Sequence, residues 1–265
     1  MFKIQEYVIP NSLDEAYEIL QARKNNTILG GTLFLRMGSQ NIGKGIDLNQ
    51  LDLNFICENE GYIEIGAMTT FRELETSPLL KNYCNGIIPK AIHSIIGVQF
   101  RNLVTVGATV YSRYGFSDLI TALLALDVEV ELFQVGRIPL AEFLANTPKK
   151  DILVKILIKK EQCNGSFQSL RNSAVDYAIL NVAVAKVGQD WRIAVGARPG
   201  RAILAEKAAE YLAQSSLKPE DIENAAKIAS NELAFGSNMR GSAEYRKEMS
   251  KVLVKRAIAE VLEWK

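Results

Sequence analysis

The chain has 265 residues with 31 basic and 30 acidic side chains, a formal net charge of +1, and 48% hydrophobic and 23% charged residues. That balance excludes a disordered or fibrous chain and gives no electrostatic reason to expect nucleic acid or an anionic membrane as a partner. The length suits two domains or one large α/β domain, and the scattered Cys57, Cys84 and Cys163, with a single His93, have no metal-ligand or iron–sulfur spacing.

Phe2 to Ile9 reads as a strand ended by Pro10, with no apolar signal segment, and no run in the chain reaches the ~18 apolar residues of a membrane span. A cytoplasmic protein is therefore expected. Ser12 and Glu15 have capping-box spacing, and Leu13, Ala16, Tyr17 and Leu20 recur at helical period, which predicts a helix from Leu13 to Lys24. Thr27 to Leu29 is a short buried strand that runs into Gly30-Gly31-Thr32, with an apolar helix expected over the LFLRM that follows. Strand, glycine turn, helix is the grammar of a phosphate cradle, and equally of a tight turn; without GxGxxG spacing or a Walker lysine it supports neither a standard dinucleotide fold nor a P-loop kinase.

Phe55 to Cys57 and Tyr62 to Ile65 flank Asn59-Glu60-Gly61 as a hairpin. Thr70 and Glu73 form a second capping box before a short helix stopped at Ser77-Pro78, and Gly86 to Ile96 is a helix carrying His93, read as structural or exposed for want of a neighbouring ligand. Arg101 to Leu132 then sets a small-residue turn, a polar loop, a helix opened by Asp118 and a half-buried strand in succession. In that turn Thr105, Val106, Gly107, Ala108 and Thr109 let backbone approach a ligand, and their N–H groups and hydroxyls suit phosphate oxygens; the alternative is a plain turn before a core helix with Asp118 as its cap.

Val135-Gly136-Arg137 turns the chain back, Leu140 to Ala145 is helical, and Ile152 to Ile158 is a mainly apolar strand. Composition shifts at Gln162 to Ser166, the expected domain boundary. Asp176 to Val187 and Trp191 to Val195 pair across Gly188-Gln189-Asp190, and helices follow over Ala202 to Gln214, Pro219 to Leu233 and Ser242 to Leu262.

This order of motifs resembles the flavin-binding medium subunit of the molybdenum hydroxylases, the family of xanthine dehydrogenase and aerobic carbon monoxide dehydrogenase. Leu29-Gly30-Gly31-Thr32 is similar to its first FAD motif and Arg101-Asn102-Leu103-Val104-Thr105-Val106-Gly107-Ala108-Thr109 to its second. Asp118-Leu119 with Ala122 to Asp127, and Gly241-Ser242-Ala243-Glu244-Tyr245-Arg246 with Val252-Leu253-Val254, match the continuation and the last helix. The resemblance implies an α+β fold: a two-subdomain, PCMH-type FAD-binding domain over 1–161, with subdomains of about 1–54 and 55–161, and a C-terminal α/β domain with a small antiparallel sheet and helices over 162–265.

FAD is the cofactor so implied. Ile28, Leu29, Gly30, Gly31, Thr32, Leu33 and Phe34, with Thr105, Val106, Gly107, Ala108 and Thr109, would line its phosphates, Asp118 would hydrogen-bond it, and Ile95 and Leu153 would make apolar flavin contacts. Ser169, with Gln168, stands where the family carries a lysine near the ring; Ala108 replaces a glycine, Thr109 an asparagine, and Leu33 an Asp or Ser. The implied function is electron transfer from iron–sulfur clusters on a small partner, fed by a molybdenum-cofactor large partner, through FAD to NAD or another acceptor, with no catalytic acid or base and no metal on this chain. The alternatives are a structural adaptor of the same complex with weak or lost FAD binding, and a stand-alone flavin reductase.

Overall fold

Ser12 starts the first helix as its spacing predicts, with a shifted bond: its Oγ accepts from Glu15 N at 3.1 Å, while the Glu15 carboxylate accepts from Asn11 N at 2.7 Å. In this computed structural model, which describes residues 1–146 and 149–263, that helix is α1 (Leu13–Ala22), linking β1 (Lys3–Val8) to β2 (Thr27–Leu29). β3 (Asn41–Asp47) lies between the two strands and parallel to both. The LFLRM run is not an α-helix. It makes one 3₁₀ turn, Leu35–Met37, because Gly38 follows too soon for a hydrogen-bonded α-helical nucleus to propagate.

β4 (Ile56–Asn59) and β5 (Tyr62–Gly66) form the expected hairpin, turned at Glu60 and Gly61, both at positive φ. The second capping box is complete: Thr70 N donates to Glu73 Oε2 at 2.7 Å and Glu73 N to Thr70 Oγ1 at 3.3 Å, opening α2 (Phe71–Thr76). Short helices follow as α3 (Pro78–Asn82), α4 (Ile87–His93), α5 (Val98–Arg101), α6 (Val106–Ser112) and α7 (Asp118–Leu124). β6 (Val128–Leu132), β7 (Gly136–Pro139) and, after α8 (Leu140–Ala145), β8 (Leu153–Lys159) complete a five-stranded sheet of order β4-β5-β8-β6-β7.

The stretch expected to hold the domain boundary lies almost wholly within a strand. β9 (Cys163–Arg171) pairs Asn164, Gly165 and Ser166 with Lys186, Ala185 and Val184 of β10 (Ala178–Val187). β11 (Asp190–Gly196) and β12 (Ile203–Leu204) extend this antiparallel sheet in the order β12-β11-β10-β9. Side chains of β10 alternate between its faces. Leu180, Val182 and Val184 share a core with residues of α9 (Glu206–Gln214), α10 (Pro219–Glu232) and α11 (Ala243–Glu263), whereas Asn181 points to α7.

By contacts the chain forms two units. One comprises 1–74, 98–112 and 128–158, the other 75–97, 113–127 and 159–265. The last passage between them falls after Ile158, close to the expected boundary, but 75–97 and 113–127 have joined the second unit before it. Within that unit Cys84 and Cys163, 79 residues apart, are joined by a disulfide with a Cα–Cα distance of 4.7 Å, a pairing that cysteine spacing did not disclose. Among the described residues no helix is long and apolar enough to cross a membrane.

Candidate functional site

The first unit brings the two glycine motifs into contact. β2 delivers Gly30, then Gly31 and Thr32 at φ +74° and +59°, both left-handed. A Cβ on Gly31 would sit 1.9 Å from the Leu103 carbonyl oxygen, and one on Gly30 would sit 2.5 Å from the Ala108 Cβ and 2.7 Å from Thr105 Oγ1. Gly107 behaves alike, with Ala67 Cβ and O both 2.8 Å from the missing Cβ. A side chain at any of the three would meet protein, so these glycines let chain meet chain.

The second motif is not a turn. Val106 to Thr109 lie in the first turn of α6, whose N–H groups must find acceptors. They find them internally: Val106 N donates to Thr69 O at 2.9 Å, Gly107 N to Ala67 O at 2.8 Å, Ala108 N to Thr105 Oγ1 at 3.3 Å and Thr109 N to Thr105 O at 3.2 Å. The Thr109 hydroxyl also donates to Thr105 O, at 3.0 Å. Thr105, Val106 and Gly107 are buried, so this motif forms a wall, with Ala108 and Thr109 half-exposed on it. Ala108 lies in α6 and is not at positive φ, and its methyl fills the gap that Gly30 leaves.

Donors come from the first motif. Among the described residues no hydrogen bond engages the N–H groups of Gly31, Thr32 and Leu33, and all three residues are half-exposed. Successive unengaged N–H groups in a left-handed turn are suited to a diphosphate, so these residues fit the pyrophosphate of FAD. Behind them Leu29 is buried and Ile28 packs against a core of Ala16, Leu20 and Ile46, while Phe34 is half-buried. Leu153 is 4% exposed, paired with Leu132 across the five-stranded sheet, a core position.

Of the remaining candidates, Ile95, half-buried just past α4, Asp118 and Ser169 belong to the second unit. Asp118 is not the helix cap; Ser117 is, its Oγ accepting from Ile120 N at 3.2 Å. Asp118 follows it, 4% exposed, with Oδ2 accepting from Arg171 Nη2 and Oδ1 from Asn181 Nδ2, each at 2.6 Å. Burial pushes its carboxyl above the usual carboxylate range, against the pull of the Arg171 charge and of both hydrogen bonds. Sequence reading missed Arg171 and Asn181. The available signal was that α7 is otherwise uncharged and wholly buried, so a carboxylate at its first position must find a cation or a donor.

Ser169 lies directly across from Asn181 on β9, hence on the face toward Asp118. Gln168 faces the other way and donates from Nε2 to Glu260 Oε2 at 2.7 Å. His93 is largely exposed beside Glu75, its Nδ1 2.9 Å from Oε1, and among the described residues no His, Cys, Asp and Glu cluster could hold a metal ion.

Residues 2–160 match the family described as the FAD binding domain in molybdopterin dehydrogenase, and 165–261 the CO dehydrogenase flavoprotein C-terminal domain. The nicotine 6-hydroxylase medium subunit of Paenarthrobacter nicotinovorans is 26% identical over 274 residues, covering 96% of each chain. The glyceraldehyde dehydrogenase medium chain of Sulfolobus acidocaldarius is 26% identical, covering 96% of this chain and 97% of the relative. Quinoline 2-oxidoreductase from Pseudomonas putida 86 shares the fold, with a TM-score of 0.87 at 22% identity over 97% of this chain and 96% of that one.

Proposed function

Because the chain belongs to the FAD-binding medium subunits of the molybdenum hydroxylases, we propose that it takes electrons from iron–sulfur clusters on a small partner chain and passes them to NAD or another acceptor. Those clusters would be fed by a molybdenum-cofactor large subunit, in a cytoplasmic complex. The related chains serve, by their names, in a nicotine hydroxylase and a glyceraldehyde dehydrogenase; here the oxidised substrate would be bound by the large partner. FAD, when bound, supplies the redox chemistry, and this chain supplies binding and orientation.

The observation that carries this reading is the row of unengaged N–H groups at Gly31, Thr32 and Leu33, braced from behind by the second motif. They would hold the FAD phosphates while Ala108 and Thr109 close the wall. Asp118 would accept from a cofactor hydroxyl, with Ser169 on the same face. Ile95 would give an apolar flavin contact, and Leu153 would support the site from the sheet interior. No side chain is asked to move a proton.

One observation favours a second reading, an adaptor with weakened FAD binding: the second motif has no N–H left to offer at Val106 to Thr109. The visible spectrum of the purified complex separates the two. About one FAD per chain, with iron–sulfur and molybdenum chains co-purifying, supports electron transfer; a colourless medium subunit in the same complex means adaptor.

Thr109→Asn tests the wall itself. The threonine hydroxyl already donates to Thr105 O, whereas an amide brings two N–H donors. One added hydrogen bond is worth about 0.5–1.5 kcal/mol, so FAD titration of the variant should show roughly threefold to tenfold tighter binding. Unchanged affinity would mean that the α6 wall does not face the cofactor.

A further inference from the structure

We propose that Arg171 is a positioning residue of the flavin site: it holds Asp118 as an oriented acceptor paired with a cation and pins the turn that follows β9, without itself touching the cofactor. This rests on the reading that Asp118 accepts from FAD. Arg171 ends β9 with its side chain 9% exposed, Nη2 on Asp118 Oδ2 and Nη1 on Asp176 O, both at 2.6 Å. Its Nε is buried without a hydrogen-bond partner, so among the described residues its side-chain hydrogen bonds are these two.

Each contact leads to a different part of the unit. Through Asp118 it reaches the first turn of α7 and, by way of Asn181, the middle of the sheet. Through Asp176 it reaches the 172–177 turn, where Asp176 Oδ1 accepts from Tyr177 N at 2.7 Å and from Arg240 Nη2 at 3.2 Å. The Arg240 guanidinium lies 5.0 Å over the Tyr177 ring, which in turn meets Phe116 edge-on at 4.8 Å. Phe116 precedes the Ser117 cap, so the path returns to the helix that presents Asp118.

A carboxylate this deeply buried keeps its charge only while a cation stays beside it, and a charged acceptor binds a hydroxyl more strongly than a neutral one. An uncharged residue at 171 therefore removes a cofactor contact it never makes. The substitutions Arg171→Gln, Arg171→Lys, Asp118→Asn and the double Arg171→Gln/Asp118→Asn separate this from a purely structural role. FAD dissociation constants and apoprotein melting temperatures are measured on each.

Either neutralising single variant should bind FAD roughly tenfold more weakly or worse, and both should melt lower. The lysine variant should regain part of the affinity. The double variant, neutral on both sides, should recover melting temperature while its affinity stays low, because the charged acceptor is still gone. Affinity that recovers along with stability, or single variants that lose stability with unchanged FAD affinity, would overturn the proposal. Loss in Arg171→Gln without loss in Asp118→Asn overturns it too, since Arg171 would then act by another route. A wild-type chain that holds no FAD is a different outcome, one that refutes the flavin-subunit reading itself.

Discussion

Gly31→Val should leave the chain unable to retain FAD, with affinity down at least a hundredfold, and should lower the melting temperature of the apoprotein as well. Two effects add. The position has φ +74°, which costs a residue with a Cβ about 1–2 kcal/mol. The new Cβ would also lie 1.9 Å from the Leu103 carbonyl oxygen, so the first turn must lift away from the second motif. That displacement tilts the N–H groups of Gly31, Thr32 and Leu33 off any diphosphate they hold. Gly107→Val should act from the other side, pushing α6 from Ala67, where the gap is 2.8 Å. FAD titration and apoprotein unfolding on both variants check this, and a normal flavin content in either would sink the two-motif site.

Replacing Cys84 and Cys163 by serine, or reducing the wild-type chain, should lower stability by about 4–5 kcal/mol, the loop-closure value for a ring of this length. At roughly 2–4 °C per kcal/mol for a chain of this size, the melting temperature should fall by about 10–15 °C. The ring closed by the bond spans 79 residues and includes the second glycine motif. Cys84 is 3% exposed and is followed by two more residues of positive φ, Asn85 and Gly86, so this turn is ordered by its surroundings rather than by local preference. Alkylation of exposed Cys57 serves as the control and should shift nothing. Equal melting of oxidised and reduced protein would mean that the pair contributes no cross-link.

How far these features could be read in the sequence depends on the reach of the interaction behind each. The boxes at Ser12 and Thr70 and the hairpin at Gly61 were legible because a capping bond or a two-residue turn is closed by residues within four positions of one another. The strand over 128–132 was legible from alternation alone, and it is buried, half-buried, buried in turn along its length. The LFLRM run misled because a short apolar segment carries the same signal for a helix and for a single turn.

The sequence by itself determined the capped helix starts, the hairpin and the alternating strand and, through the order of its motifs, the FAD-binding family to which the chain belongs. Only the tertiary structure decided what each motif residue does. That Gly31 meets Leu103, that Asp118 is held by Arg171 and Asn181 from 53 and 63 positions away, and that Cys84 finds Cys163 all depend on which surfaces pack together. A single residue's type states what it can bond to. Its partner is chosen by the burial of everything around it, because a desolvated charge or N–H must be satisfied by whatever the fold brings within about 3 Å.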